Sequence, residues 1–384
     1  MRFVKKFLAV GLFSAAVLCA FGWLAMQSYM TGPVDALAEP LVFEVPEGAS
    51  LNRVAADLEE LDVLRWPRLF ALWGRLKGKA HRVQAGEYLL EPGMSPANIL
   101  NQFVEGRVKL YAFTILEGWT YKEVLAALAE NAAIAATLEP TGPAPGIIFE
   151  SLSVADMGDV DHPEGLLFPE TYFVPKNSTD AEVLSKAARL MQVRLAEAWA
   201  NRDEGLPLDN PYELLILASI IERETAVDSE RGQVAGVFIR RLQKGMRLQT
   251  DPTVIYGLGD EYKGNLTRRH LLTDTPYNTY TRGGLPPTPI GMPGEASLYA
   301  AGHPDDGNTL YFGFADVRPV QRDHKLGIDW TCLPSADQVP AELNYYTSGR
   351  SSFHLYTIDA QGNDFRQLTF GPEDDFDPCP LPNG

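Results

Sequence analysis

Two glutamates two positions apart, Glu222 and Glu224, close an aliphatic run in LASIIERETAVDSER, residues 217–231. On a helix such a pair stands about 200° apart, so the two carboxyls cannot serve one site together. Projected at about 100° per residue, Leu214, Leu217, Ala218, Ile220 and Ile221 mark a buried face, and Ser219 and Arg223 a polar one. Glu224 falls between Leu217 and Ile220, about 50° from the centre of the apolar arc, and Glu222 lies on its margin, about twice as far. The projection points Glu224 inward. An inward carboxyl has two explanations. It is one half of an ion pair, for which Arg231, Arg240, Arg241 and Arg247 lie within reach in sequence. Or it sits in a cleft where desolvation favours its neutral form, the state a general acid needs near neutral pH.

The residues downstream favour the cleft. Gln249, Thr250 and Asp251 form a polar cluster before a proline-broken turn, and Asn278, Thr279 and Tyr280 precede the stiff LPPTPIGMPG segment. Tyr172, Tyr256, Tyr277 and Tyr280 offer aromatic faces. Sugars present apolar C–H faces ringed by hydroxyls, so aromatic rings beside amides and a carboxyl are what a carbohydrate cleft uses.

The elements that must hold these residues follow from periodicity and caps. LVFEV alternates as a strand, and a Ser50-capped helix places Leu51, Val54, Ala55 and Leu58 at helical spacing. A second helix covers about 67–76, and strand, turn and a Ser95-capped helix follow in HRVQAGEYLLEPGMSPANILNQFVEG. This strand–helix–helix–strand unit resembles the LysM fold of cell-wall-binding domains. The order begins to repeat at KLYAFTILEGWTYKEVLAALAE, with Thr120 as cap. Residues 132–163 read as a helix end and loop, EGLLFPETYFVP as a turn into an aromatic strand, and about 181–200 as a long amphipathic helix. The glutamate-bearing helix and a further one in RGQVAGVFIRRLQKG complete the scaffold.

At 384 residues the chain has room for two or three domains with real cores. Its 33 basic and 50 acidic residues give a net charge of −17, which excludes nucleic acid as a partner and argues against adhesion to an anionic bilayer. A neutral polymer remains compatible. Cys19, Cys332 and Cys379 form no CxxC or Cys/His cluster, and the six histidines are scattered, so no metal site is expected. At the N-terminus Arg2, Lys5 and Lys6 precede an uncharged span, Phe7 to Met26, long enough to cross a bilayer. The positive flank predicts a cytoplasmic N-terminus and an extracytoplasmic body. A cleaved signal peptide is the rival reading, disfavoured by the length of the span and the lack of a small-x-small site after it. A lipoprotein is disfavoured by Leu18 before Cys19. An oxidising compartment makes Cys332–Cys379 a candidate disulfide.

Three stretches together, ASIIERETAVDSERGQVAGVFIRRLQKGMRLQTDPTVIYGLG, EGLLFPETYF and YNTYTRGGLPPTPIGMPG, resemble the MltG (YceG-like) family of endolytic murein transglycosylases. The resemblance runs from the anchor to about Phe314. It implies an inner-membrane enzyme, periplasmic in its catalytic domain, that cuts nascent peptidoglycan strands and leaves 1,6-anhydro-MurNAc ends, with peptidoglycan synthases as partners. It assigns the catalytic role to the glutamate followed by threonine, Glu224; Glu222 matches a family position too and is expected among the substrate-binding residues, in a supporting role. Gln249, Asp251, Tyr256, Asn278 and Tyr280 are then the expected substrate-binding residues, and no metal or organic cofactor is implied. A hydrolytic muramidase and a silent glycan-binding scaffold are the competing functions.

The expected fold class is α+β: anchor (1–26), linker (27–40), LysM-like region (41–131), YceG-like catalytic domain (132–315) and a divergent tail (316–384). In that tail SSFHLYTIDAQGNDFRQLTF resembles a single TolB-type propeller repeat, which cannot close a propeller alone.

Overall fold

The uncharged N-terminal run forms one long helix, α1 (Arg2–Thr31). It is apolar and long enough to cross a membrane over Gly11–Thr31. The computed structural model describes residues 2–34, 37–138, 146, 148, 160, 162–305, 310–315, 353–358 and 366–367, and places them in two compact units. The Cys332–Cys379 pairing lies outside the described residues.

The first unit comprises residues 1–112 and 173–178. It contains β1 (Leu41–Val45), α2 (Leu51–Glu60), α3 (Pro67–Leu76), β2 (Gly86–Leu90) and α4 (Pro96–Glu105). β1 and β2 pair antiparallel, with Leu41 opposite Leu90 and Phe43 opposite Tyr88. Phe43, Leu58, Phe70, Tyr88 and Phe103 are buried together, because alternation on β1 and helical spacing on α2–α4 turn their apolar positions to one centre. The caps read from sequence are made: Ser50 accepts from the Arg53 N–H and Ser95 from the Asn98 N–H. Met26 and Met30 carry the distal end of α1 into this same core.

The second unit comprises residues 113–172 and 179–384. In chain order the described elements lying wholly or partly in it are β3 (Leu110–Thr114), α5 (Tyr121–Glu130), β4 (Ile134–Ala135), β5 (Thr171–Pro175), β6 (Ser178–Thr179) and α6 (Asp180–Asn201). Then come α7 (Pro211–Glu224), α8 (Asp228–Gln243), α9 (Asp251–Leu258), α10 (Arg268–Leu272) and α11 (Glu295–Gly302). β3 pairs with β5 and β4 with β6. Thr120 and Thr179 each start their helix with a complete capping box, closed by Glu123 and Glu182.

α7 is the central helix, with α6, α8, α9 and α11 packed around it. Leu214 through Ile221 are therefore all buried, including Ser219, which the projection placed on the polar face. Its hydroxyl donates to the Ile216 carbonyl (2.7 Å) and accepts the Ile290 N–H (3.0 Å), so a polar group is accommodated at full burial. A second departure concerns Asp251. The expected proline-broken turn is the start of α9, with Pro252 in the first turn, where a missing N–H removes no helical bond. Beyond α11, β7 (Leu310–Ala315), β8 (Phe353–Ile358) and β9 (Arg366–Gln367) form an antiparallel sheet, Leu310 opposite Ile358 and Tyr356 opposite Gln367. The repeat-like stretch of the tail thus supplies β8, which pairs with β7, and β9, which pairs with β8.

Candidate active site

Glu224 is the last residue of α7, where the helix must hand over to α8 within a few residues. Thr225 makes that turn: it is buried, its hydroxyl donates to the Glu230 carboxylate (2.9 Å), and it accepts the Val227 N–H (3.1 Å). The order Glu-Thr therefore fixes the carboxyl's starting direction. Its far end is held by Thr250, whose hydroxyl donates to Glu224 Oε2 at 2.5 Å.

Thr250 is itself set by a ladder of hydroxyls. The Thr250 N–H donates to Thr279 Oγ1 (3.1 Å), the Gln249 N–H to the Thr279 carbonyl (3.2 Å), and Thr253 Oγ1 to the Thr250 carbonyl (2.7 Å). Thr250, Thr253 and Thr279 are all buried. Gln249, beside them, has φ +51°, a left-handed conformation that a side-chain-bearing residue adopts only when its surroundings enforce it. Tyr280 donates its hydroxyl to Asp251 Oδ1 at 2.7 Å. Arg241, buried on α8, donates to the Leu248 carbonyl at the base of the same loop.

Burial pushes the Glu224 carboxyl up to about 7, against the opposing pull of the Thr250 hydroxyl and the Arg241 charge. Tyr280 is held well above its ordinary value, first by burial, then by the Asp251 and Glu224 carboxylates. The carboxyl at the end of α7 thus keeps its proton to higher pH than an ordinary glutamate, beside a tyrosine held well above its ordinary value.

The structure brings Glu224, Gln249, Asp251 and Tyr280 together and engages the other expected residues elsewhere. The Asn278 carboxamide donates to the carbonyls of His270 (3.1 Å), Leu271 (3.0 Å) and Thr273 (2.7 Å) and accepts the Tyr280 N–H (2.9 Å). With that amide occupied by main chain, Asn278 shapes the loop that presents Tyr280. Glu222 pairs with Arg231 (3.1 Å) and accepts the Gly294 N–H (2.9 Å); both charged side chains are 6% exposed. Of the arginines in reach by sequence, Arg231 takes the neighbouring glutamate and Arg241 acts on Glu224 through space. The margin position of Glu222 is roofed by the GMPG segment: Gly118 N–H donates to the Met292 carbonyl (2.8 Å) and Met292 N–H to the Trp119 carbonyl (2.7 Å).

Tyr256 belongs to a second polar centre. Its hydroxyl donates to Glu164 Oε2 (3.0 Å), while the Tyr121 N–H donates to Oε1 (2.9 Å), and its ring meets Tyr277 edge-on at 4.9 Å. Glu164 is buried, and burial pushes its carboxyl up to about 7 against these two hydrogen bonds. Sequence reasoning passed over Glu164; its one signal is that it opens the EGLLFPETYF stretch. The sign of its effect is fixed. The folded chain holds a proton that the unfolded chain releases near 4.5, so this stabilisation is complete below that value and lost as pH rises through about 7. Glu164→Gln keeps an acceptor for the Tyr121 N–H, offers the Tyr256 hydroxyl an amide N–H to accept in place of a carboxylate oxygen, and removes the titration. Thermal unfolding of parent and variant at about pH 5 and pH 8 should show a smaller acid-to-alkaline loss of stability in the variant.

The α+β scaffold thus holds one raised carboxyl, Glu224, at the end of its central helix against a threonine-lined loop, and a second, Glu164, against Tyr121 and Tyr256. The chain belongs to the YceG-like family, whose profile matches residues 43–325. A relative from Bacillus subtilis (strain 168), named endolytic murein transglycosylase, is 34% identical over 280 residues, 70% of this chain and 77% of its own length. Two proteins of the same name from Streptococcus pneumoniae are 27% identical over 378 residues, 89% of this chain and 66% of theirs. A YceG-like protein of Listeria monocytogenes with a solved structure is 28% identical, with a TM-score of 0.47, over 71% of this chain and 93% of its own.

Proposed function

We infer that the protein is a membrane-anchored peptidoglycan lytic transglycosylase that cuts within glycan strands and leaves 1,6-anhydro-MurNAc ends. The observation that carries this reading is the Glu224 carboxyl, pushed up to about 7 and held by Thr250 in a chain of the YceG-like family. Protonated Glu224 delivers its proton to the glycosidic oxygen between MurNAc and GlcNAc, and the C1–O bond breaks. The carboxylate so formed takes the proton of the muramic C6 hydroxyl as that oxygen closes on C1, which restores the acid. The nucleophile is part of the substrate, so one carboxyl serves as acid and then base, with the advantage of proximity. Ordinary glycosidases need two carboxyls at a set separation.

Gln249, Asp251 and Tyr280 orient the sugar rings, and the Asp251 carboxylate offsets positive charge developing near C1. Asn278 and Glu222 position the loops around them, and Tyr256 and Glu164 support the turn that precedes α5. The β1–α2–α3–β2 unit serves as a LysM-like glycan-binding module. α1 crosses the inner membrane once with its basic end in the cytoplasm, and peptidoglycan synthases supply the strands whose elongation is terminated.

Purified full-length protein is incubated with sacculi and the products are weighed by mass spectrometry. Muropeptides one water lighter than hydrolysed ones are the expected result. Products with a reducing end would assign a muramidase, and intact sacculi a scaffold. A reporter active only outside the cytoplasm, fused after Gly384, is expected to be active and to sediment with membranes; its release into the soluble periplasm would overturn the anchor.

A further inference from the structure

Where α1 leaves the bilayer, the first unit presents a face that the function above does not use. Residues 65–82 carry Arg65, Arg68, Arg75, Lys77, Lys79 and Arg82 with no acidic residue among them, in a chain of net charge −17. On α3 the inward side is Phe70, Ala71 and Gly74, while Arg68, Leu72, Arg75 and Leu76 share the exposed side. Leu72 is 43%, Trp66 47% and Leu76 57% exposed, so the face is apolar as well as basic.

The contacts with α1 fix its depth. Trp23 meets Trp73 at 5.7 Å, and Lys77 Nζ stands over both rings, 5.9 Å from Trp23 and 4.8 Å from Trp73. Tyr29 meets the Trp66 ring at 5.0 Å and accepts the Trp66 N–H (3.2 Å). A hydrocarbon layer about 30 Å thick holds about 20 helical residues; Met26 and Met30 are buried in the core of the first unit, so of the apolar stretch the part open to lipid ends near Met26. Trp23 then lies within about 5 Å of the outer boundary, and the end of α3 that touches it lies at headgroup level. Tryptophan, and arginine or lysine with exposed leucines, are the residues that settle there.

We propose that the outer face of α3, with Trp66 and the basic run that follows, seats on the anionic headgroup layer of the membrane spanned by α1. This rests on the anchor reading. The long-range field of a −17 chain repels such a surface, but that field is screened within about 10 Å, and at contact the exposed Arg65, Arg68, Arg75 and Lys77 decide. Seating the first unit in this way fixes its orientation over the bilayer in addition to its distance.

The test uses the full chain with Cys19, Cys332 and Cys379 replaced by serine and Leu72→Cys carrying an environment-sensitive fluorophore. It is reconstituted in vesicles of phosphatidylcholine alone or with phosphatidylglycerol. The expected result is blue-shifted emission, quenched by a headgroup spin label, in the anionic vesicles, weakening as salt is raised. Replacing Arg65, Arg68 and Lys77 by glutamine should lower the docked-to-free ratio about fivefold per cation, about a hundredfold in all, with circular dichroism showing an intact fold. A chain left in the aqueous fraction overturns the anchor reading and the proposal with it. An incorporated chain whose label stays aqueous in both lipids overturns the proposal alone, as does a label shielded only when glycan strands are added.

Discussion

Glu224→Gln loses about 10²–10⁴ in turnover while the fold and strand binding remain close to parental. The amide keeps the shape of the carboxyl and still accepts the Thr250 hydroxyl, which lies 2.5 Å from Oε2. It has no proton to give to a glycosidic oxygen and cannot take one from the C6 hydroxyl. Stability should if anything rise on the alkaline side. Burial holds the parental carboxyl at about 7, above its ordinary 4.5, so its ionisation at higher pH opposes folding, and the amide never ionises. The measurement is release of anhydro-muropeptides across pH, beside the parent. The parent's rate should fall as pH passes about 7, because the acid form is lost, and the variant's residual rate should lack that limb. Parental turnover in the variant would remove Glu224 from the chemistry.

That residue was legible in the sequence because the signal is local: a helical projection needs neighbours within a few turns, and Glu224 sits inside its own apolar arc. The caps at Ser50, Ser95 and Thr120 were legible for the same reason, since each bonds an N–H three residues on. What local pattern cannot reach is the partner across the fold. Glu164 meets the Tyr121 N–H and the Tyr256 hydroxyl, 43 and 92 positions away, and nothing in its own surroundings marks it as buried. Asn278 shows the complementary failure. A carboxamide beside a tyrosine reads as a sugar ligand, yet its hydrogen bonds go to backbone seen only once the loop is closed. The basic and apolar face of α3 was hidden by a sum: net charge averages over 384 residues and conceals the six cations of residues 65–82.

Glu222→Gln should fail in the opposite way, in stability and with chemistry retained. Glu222 and Arg231 are both 6% exposed, and their 3.1 Å contact, with the Gly294 N–H on the second oxygen, leaves the carboxylate committed to the fold. Removing the charge leaves Arg231 buried with Asp228, which is 84% exposed, and the Ser297 hydroxyl as its remaining hydrogen-bond partners, and with the Glu117 carboxyl acting on it through space. Breaking a buried pair from one side costs about 3–5 kcal/mol, and urea denaturation should find a loss of that order. Turnover per folded molecule should stay within about tenfold of the parent, because the variant keeps Glu224, Thr250 and Tyr280 in place and touches no group assigned to proton transfer. Adding Arg231→Met should recover part of the stability, since an apolar side chain of similar length leaves no uncompensated charge. The two glutamates thus separate cleanly by what is measured. A Glu222→Gln protein of parental stability that no longer releases anhydro products would exchange their roles, making Glu222 the acid and Glu224 the buried support.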